Sequence, residues 1–234
     1  MSKNTIEYIS IFSSIISLIS GLITINDNNI YLSISLILIS LIFILYIFYR
    51  NYYNPINFST LKESIELNIE DEKGELVKYK KNILLKCSKS NAYYFFNSLN
   101  EFNGKIKNIK VSNGNIDTIT KNNGIYLIMS KLEAPLKRGE ILERSIECEF
   151  INCFINEKEF WSSTKNYPGT HLEIKICFPI NRTPKTFSSY EKIGHIEKLM
   201  KSQPNYKIEN NKYILTLNVK KVKLFATYYL KWEW

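Results

Sequence analysis

The side chains that could do chemistry in this chain are cations. Lysines and arginines cluster at residues 78–89, at Lys105, Lys107 and Lys110, at Lys137 and Arg138, and at Lys220, Lys221 and Lys223. Aromatic residues lie among them, including Phe160, Trp161 and Tyr167. Basic grooves with stacking rings hold nucleotides and single strands with little sequence reading. The same charges also suit attraction to anionic lipid, at about 1 kcal/mol per Lys or Arg near the surface, or plain solvation. The ligand-binding candidates are therefore Lys105, Lys107, Lys110, Lys220, Lys221 and Lys223.

No catalytic set stands beside them. The sequence has no GxSxG, no HExxH, no Walker motif and no phosphate-binding glycine loop. Glu143, Glu147 and Glu149 share strand parity and read as a charged outer face. His171 and His195 lack metal-ligand spacing, so no metal or cofactor is expected. Cys87, Cys148, Cys153 and Cys177 form no CxxC pair and read as reduced, structural thiols. The expectation is a protein that binds and does not catalyse.

The elements that must position these lysines read as strands. Residues 62–70 alternate, and Asp71-Glu72-Lys73-Gly74 supplies a turn. Val77, Tyr79, Ile83 and Leu85 continue the alternation. Residues 105–112 precede an Asn113-Gly114 hairpin signal. Residues 125–130, 141–154, 171–178 and 213–219 follow as strands. Tyr228, Leu230, Trp232 and Trp234 share one face of a terminal strand that should dock in the core. Residues 90–100 could form a short helix, and residues 189–201 another helix or a loop. Strands with little helix between them predict an antiparallel all-β domain over residues 56–234, a sandwich more than a barrel.

Before this domain lie two uncharged apolar runs, residues 8–25 and 30–49, parted by Asn26-Asp27-Asn28-Asn29. Each run is about 18–20 residues, which at roughly 1.5 Å per residue just spans a hydrocarbon core of about 30 Å. The pattern predicts a transmembrane helical hairpin over residues 1–50 and a short tether at 51–55. Lys3 and Arg50 flank the hairpin, and its turn has no cation. The positive-inside rule then places both termini in the cytoplasm of a multi-pass inner-membrane protein, with the bilayer as one partner. Only Lys3, Arg50, Glu7 and Asp27 are charged in residues 1–50, so the whole excess of nine positive charges sits in the following domain. On the first helix Ser10, Ser13, Ser14, Ser17, Ser20, Gly21 and Thr24 fall within an arc of roughly 120°. Such a stripe suits close helix packing or the lining of a pore in a homo-oligomer.

Two stretches carry a resemblance. Pro135-Leu136-Lys137-Arg138-Gly139-Glu140, and Trp161 through Pro168-Gly169-Thr170-His171-Leu172-Glu173-Ile174 to Phe178-Pro179, look like motifs of a β-sandwich common in bacterial antiphage operons. In layout the whole chain resembles the two-transmembrane, β-rich membrane effectors of CBASS-type and Hailong-type systems. That resemblance implies a nucleotidyltransferase encoded nearby and a nucleotide or oligonucleotide signal sensed by the β domain. It also implies a membrane part that forms or controls a pore or ion channel. It assigns no binding role to any residue. The alternative expectation is a non-enzymatic membrane anchor or scaffold that recruits a partner through the β domain.

Overall fold

Period-two alternation of apolar and polar side chains governs this chain after residue 57, because a strand turns successive side chains to opposite faces. In β1 (Phe58–Ile69) Ile65, Leu67 and Ile69 are buried, and the residues between them are half-exposed. The computed structural model describes residues 58–88, 92–101, 104–165 and 169–234. The chain divides into two units, Met1–Pro55 and Ile56–Trp234. The strands after β1 are β2 (Leu76–Cys87), β3 (Ala92–Asn100), β4 (Lys105–Val111), β5 (Asn115–Asn122), β6 (Ile125–Leu136) and β7 (Ile141–Ile151). They continue with β8 (Lys158–Thr164), β9 (His171–Pro179), β10 (Thr186–Ile193), β11 (Ile196–Leu199), β12 (Asn205–Glu209), β13 (Lys212–Lys220) and β14 (Ala226–Glu233).

These strands form three sheets. The large one has seven strands in the order β12-β13-β9-β1-β2-β7-β4. A four-stranded sheet runs β11-β10-β14-β8, and a three-stranded sheet runs β3-β6-β5. The β1–β9 pair is parallel; its neighbours β1–β2 and β9–β13 are antiparallel. Both small sheets cover the same face of the large one. Tyr79, Phe150, Ile174 and Leu217 of the large sheet pack with Trp161, Tyr228, Leu230 and Trp232 of the four-stranded sheet. Phe58, Ile83 and Leu85 pack with Phe95 and Leu132 of the three-stranded sheet. The terminal strand β14 lies in this core, with Tyr228, Leu230 and Trp232 buried.

The β1–β2 turn shows how local chemistry sets the register. The Asp71 carboxylate accepts from the N–H groups of Lys73 at 2.8 Å, Glu75 at 3.0 Å and Leu76 at 2.6 Å. Gly74 has φ +75°, and a Cβ there would sit 2.1 Å from the Phe154 carbonyl oxygen. The left-handed conformation alone should cost Gly74→Ala about 1–3 kcal/mol, and the clash adds to it. A thermal melt should show a midpoint lower by several degrees.

The described architecture corrects several expectations. Every described element is a strand, and among the described residues no helix is long and apolar enough to cross a membrane. The fold class of a membrane protein led by a two-helix hairpin is replaced, for these residues, by an all-β fold of three sheets. The transmembrane and channel reading and the multi-pass inner-membrane localisation fall with it. The physical reason is that apolar residues here alternate within short strands instead of running unbroken. The hairpin at residues 1–50, with Ser10, Ser13, Ser14, Ser17, Ser20, Gly21 and Thr24, lies outside the described residues. The two short helices are corrected as well: residues 92–100 are β3, and residues 189–199 fall in β10 and β11, joined through Gly194 at φ +59°.

Candidate functional site

Among the described residues the two small sheets are not hydrogen-bonded to one another. Between β3 and β8, over a floor made by β1 and β2, lies a cleft of about 350 Å³. That is within the roughly 300–1,000 Å³ usual for ligand sites. Its walls are consecutive residues, 95–100 on one side and 161–165 on the other.

Three charges converge on its floor. Glu63 of β1 takes the parity of Ile65 and Leu67 and is therefore turned inward, only 5% exposed. Lys81 of β2 takes the parity of Tyr79 and Ile83. Lys165, just past β8, is also 5% exposed. One oxygen gathers them. Glu63 Oε1 accepts from Lys165 Nζ at 2.5 Å and from Ser163 Oγ at 3.4 Å. It also pairs with Lys81 Nζ at 3.1 Å. Lys165 Nζ donates to Ser163 Oγ at 2.8 Å.

Burial opposes ionisation of Glu63, but Lys81 and Lys165 outweigh it and hold the carboxyl at about 2. Burial pulls the Lys165 ammonium down to about 8, against the opposing pull of Glu63. At neutral pH both groups are ionised, and two cations face one carboxylate. A protonated Lys165 has no lone pair with which to take a proton from Ser163. The arrangement is therefore suited to holding an anion. Asn97, 8% exposed, turns into the same cleft, and its Nδ2 has no hydrogen-bond partner among the described residues. A buried donor left open in this way costs free energy until something accepts from it.

The lysines singled out from sequence lie elsewhere. Lys105, Lys107 and Lys110 are on β4, one edge of the large sheet, opposite Ile151, Glu149 and Glu147 of β7. Lys220 ends β13 opposite His171. The Lys221 N–H donates to the Thr170 carbonyl, and Lys223 Nζ reaches Glu191 Oε2 at 2.6 Å. Five strand spacings separate β4 from β13, about 24 Å at the usual spacing. The six lysines thus form two groups and do not converge. Between them the outer face of the large sheet is cross-linked by opposite charges, as in Lys80–Glu147 at 2.7 Å and Lys175–Glu66 at 3.0 Å.

Of the aromatic residues, Trp161 is buried with its ring 5.3 Å from that of Tyr79. Phe160 points outward, and Tyr167 lies outside the described residues. The four cysteines are buried thiols; burial pushes Cys148 up to about 12 and Cys153 up to about 11. Among the described residues no group of His, Cys, Asp or Glu is placed to hold a metal ion.

Sequence reasoning passed over Glu63, Ser163, Lys165 and Asn97, and met Lys81 only as one member of the basic cluster at residues 78–89. A signal existed for two of them. Glu63 and Lys81 are charges standing at apolar parity in otherwise regular strands.

No protein-family model and no curated relative matches the chain. A solved structure of an M1 zinc metallopeptidase from Deinococcus radiodurans aligns at 8% identity and TM-score 0.43, over 74% of this chain and 42% of that one. A mutant two-domain M1 zinc metallopeptidase bound to L-tryptophan aligns at 8% identity and TM-score 0.43, over 75% and 43%. The chain therefore spans less than half the length of these structures. At such identity and TM-score the likeness says nothing of activity.

Proposed function

We propose that the β-rich unit is a recruiting module, and that the cleft between β3 and β8 is where a partner is held. The observation that carries this reading is the cleft floor, where two cations surround one carboxylate beside the open Asn97 amide. Phe96 and Ile125 continue the cleft onto the surface, 56% and 41% exposed, and give a partner apolar area to cover. The scattering of the six outer lysines removes the single basic face that a surface-bound polyanion would need.

A photo-cross-linking residue tests this. Placed at Ser98, on the cleft wall, it should give one discrete protein adduct in cells. Placed at Asn122, at the end of β5, it should give none. Equal labelling at both positions, or none at Ser98, would count against recruitment.

A second reading keeps the ligand class implied by the resemblance to signal-gated antiphage effectors. A nucleotide-type signal, made by a neighbouring nucleotidyltransferase and sensed by a homo-oligomer, would seat its phosphate at Lys81 and Lys165. Tyr79, Phe95 and Trp161 line the same cleft and favour this reading, because rings beside cations suit bases and phosphates together. Calorimetry with a cyclic dinucleotide separates the two: binding that is lost in Lys81→Glu, with no protein adduct at Ser98, selects the second.

A further inference from the structure

The walls of the cleft are strand edges. Among the described residues β3 is an outermost strand of the three-stranded sheet, and β8 is an outermost strand of the four-stranded sheet. In an antiparallel ladder the N–H and C=O of one residue point to the same side, and the next residue points to the other. The Glu101 N–H donates to the Gly124 carbonyl, which turns the odd-numbered residues of β3 toward β6. Phe96, Ser98 and Asn100 therefore aim their backbone groups away from β6. The Lys165 N–H donates to the Ala226 carbonyl, and the Trp234 N–H donates to the Glu157 carbonyl. Both bonds turn the odd residues of β8 toward β14 and leave Ser162 and Thr164 aimed the other way. All five of these residues line the cleft. A wall of consecutive residues, odd and even alike, is what an edge presents; a sheet face would present alternate residues.

These two edges are also bare where they face the cleft, since the bulge of β3 lies at Ala92/Tyr94 and the charges of β8 at Lys158 and Glu159, outside the facing segments. Folded sheets protect their edges with charges, bulges or proline. β4 carries Lys105, Lys107 and Lys110 and a bulge. β5 carries Asp117 and Lys121, β11 carries Glu197 and Lys198, and β12 carries Lys207 and Glu209. The segments facing the cleft, 95–100 and 161–164, contain no charge and no proline.

We propose that the cleft receives an extended peptide segment of another chain, which adds as a strand between β3 and β8 and places an Asp or Glu side chain over Lys81 and Lys165. This rests on the recruiting reading. A strand inserted there turns alternate side chains toward the floor. The floor is apolar at Ile65, Tyr79 and Ile83 and cationic at its centre, so it selects one acidic residue between two apolar ones. The incoming carboxylate balances the extra positive charge, and the Asn97 amide gains an acceptor. Main-chain bonds supply affinity and the floor supplies selectivity, as in other cases of strand addition.

Fluorescence anisotropy with the full chain and a labelled heptapeptide, Thr-Val-Thr-Glu-Thr-Val-Thr, tests this. Changing the central Glu to Lys should weaken binding about tenfold or more, and methylating the central backbone nitrogen should do the same. On the protein, Ser162→Pro removes an N–H that points into the cleft and leaves the bonds to β14 in place, a position where a strand tolerates proline. It should weaken the peptide about tenfold at an unchanged thermal midpoint. The proposal is overturned if nitrogen methylation has no effect, or if the heptapeptide fails to bind at about 1 mM, the weak end of specific association. If the Ser98 adduct forms equally in the Ser162→Pro chain, recruitment stands and strand addition fails. If the Ser98 adduct is absent from the otherwise unsubstituted chain, both fail.

Discussion

Replacing Glu63 with Gln should cost the β-rich unit about 3–5 kcal/mol, the range for removing one partner from a buried ion pair. The substitution leaves Lys81 and Lys165 facing each other over the cleft floor, with Ser163 beside them and no carboxylate between them. Urea unfolding of the full chain should show a lower midpoint with the same slope. The pH dependence gives a second readout. The Glu63 carboxyl is held at about 2, below its ordinary 4.5. Between those values the unfolded chain binds the extra proton, so stability falls as the medium is acidified. The contribution is whole above 4.5 and is lost as pH falls through about 2. Lys165 acts at the other end. Its folded value of about 8 lies below the ordinary 10.5, so the unfolded chain again binds the extra proton between the two. Raising the pH through that window relieves the cost of burying the ammonium and adds stability. Glu63→Gln should abolish the acid step and enlarge the alkaline one. Identical acid limbs in the two proteins would show that the cluster does not hold the sheets together.

Arg144→Met should have the opposite sign. Arg144 of β7 is 1% exposed, yet no carboxylate pairs with it among the described residues. Its Nη2 donates to Ser130 Oγ at 2.8 Å, and its guanidinium lies 5.3 Å from the Phe95 ring. Nε and Nη1 have no partner among the described residues, and burial lowers its pKa. Methionine follows the same path without the charge. Ser130 keeps its bond to the Phe95 carbonyl at 3.2 Å. Replacing buried charge with a well-packed apolar chain is worth about 1–4 kcal/mol. The thermal midpoint of the full chain should rise by about 2–4 °C per kcal/mol. A fall would mean that the guanidinium is balanced by a group outside the described residues.

The sequence made β1, β2, β9, β13 and β14 legible because their apolar residues recur at every second position on one face only. It concealed β3. Tyr93, Tyr94, Phe95 and Phe96 are aromatic at both parities, so the period vanishes and a helix reads equally well, although Phe95 and Leu99 point inward. It concealed β8 for the inverse reason: Glu159, Ser163 and Lys165 are buried, whereas Phe160 is exposed. The cluster itself joins residue 63 of β1, residue 81 of β2 and residue 165 just past β8, and no local spacing relates them. Lysines that looked like one basic face were grouped by their types, whereas sheet order put five strand spacings between them.

The parallel pairing of β1 with β9 sets an order of events during synthesis. Glu63 pairs across to Leu172, 109 residues later in the chain. At roughly 5–20 residues per second, β1 and β2 exist as a hairpin for roughly 5–20 s before β9 leaves the ribosome. Throughout that interval the edge of β1 that will become the centre of the large sheet is bare, and the layer facing Ile65, Leu67 and Ile69 still lacks β10 and β14. Non-local pairing of this kind is slow to form, because the loop must close before any contact rewards it. The nascent chain is thus most exposed to misassociation early, along a strand that ends up inside the large sheet with neighbours on both sides. Chaperone dependence should accordingly track the rate of translation through residues 70–179 more closely than the stability of the finished fold.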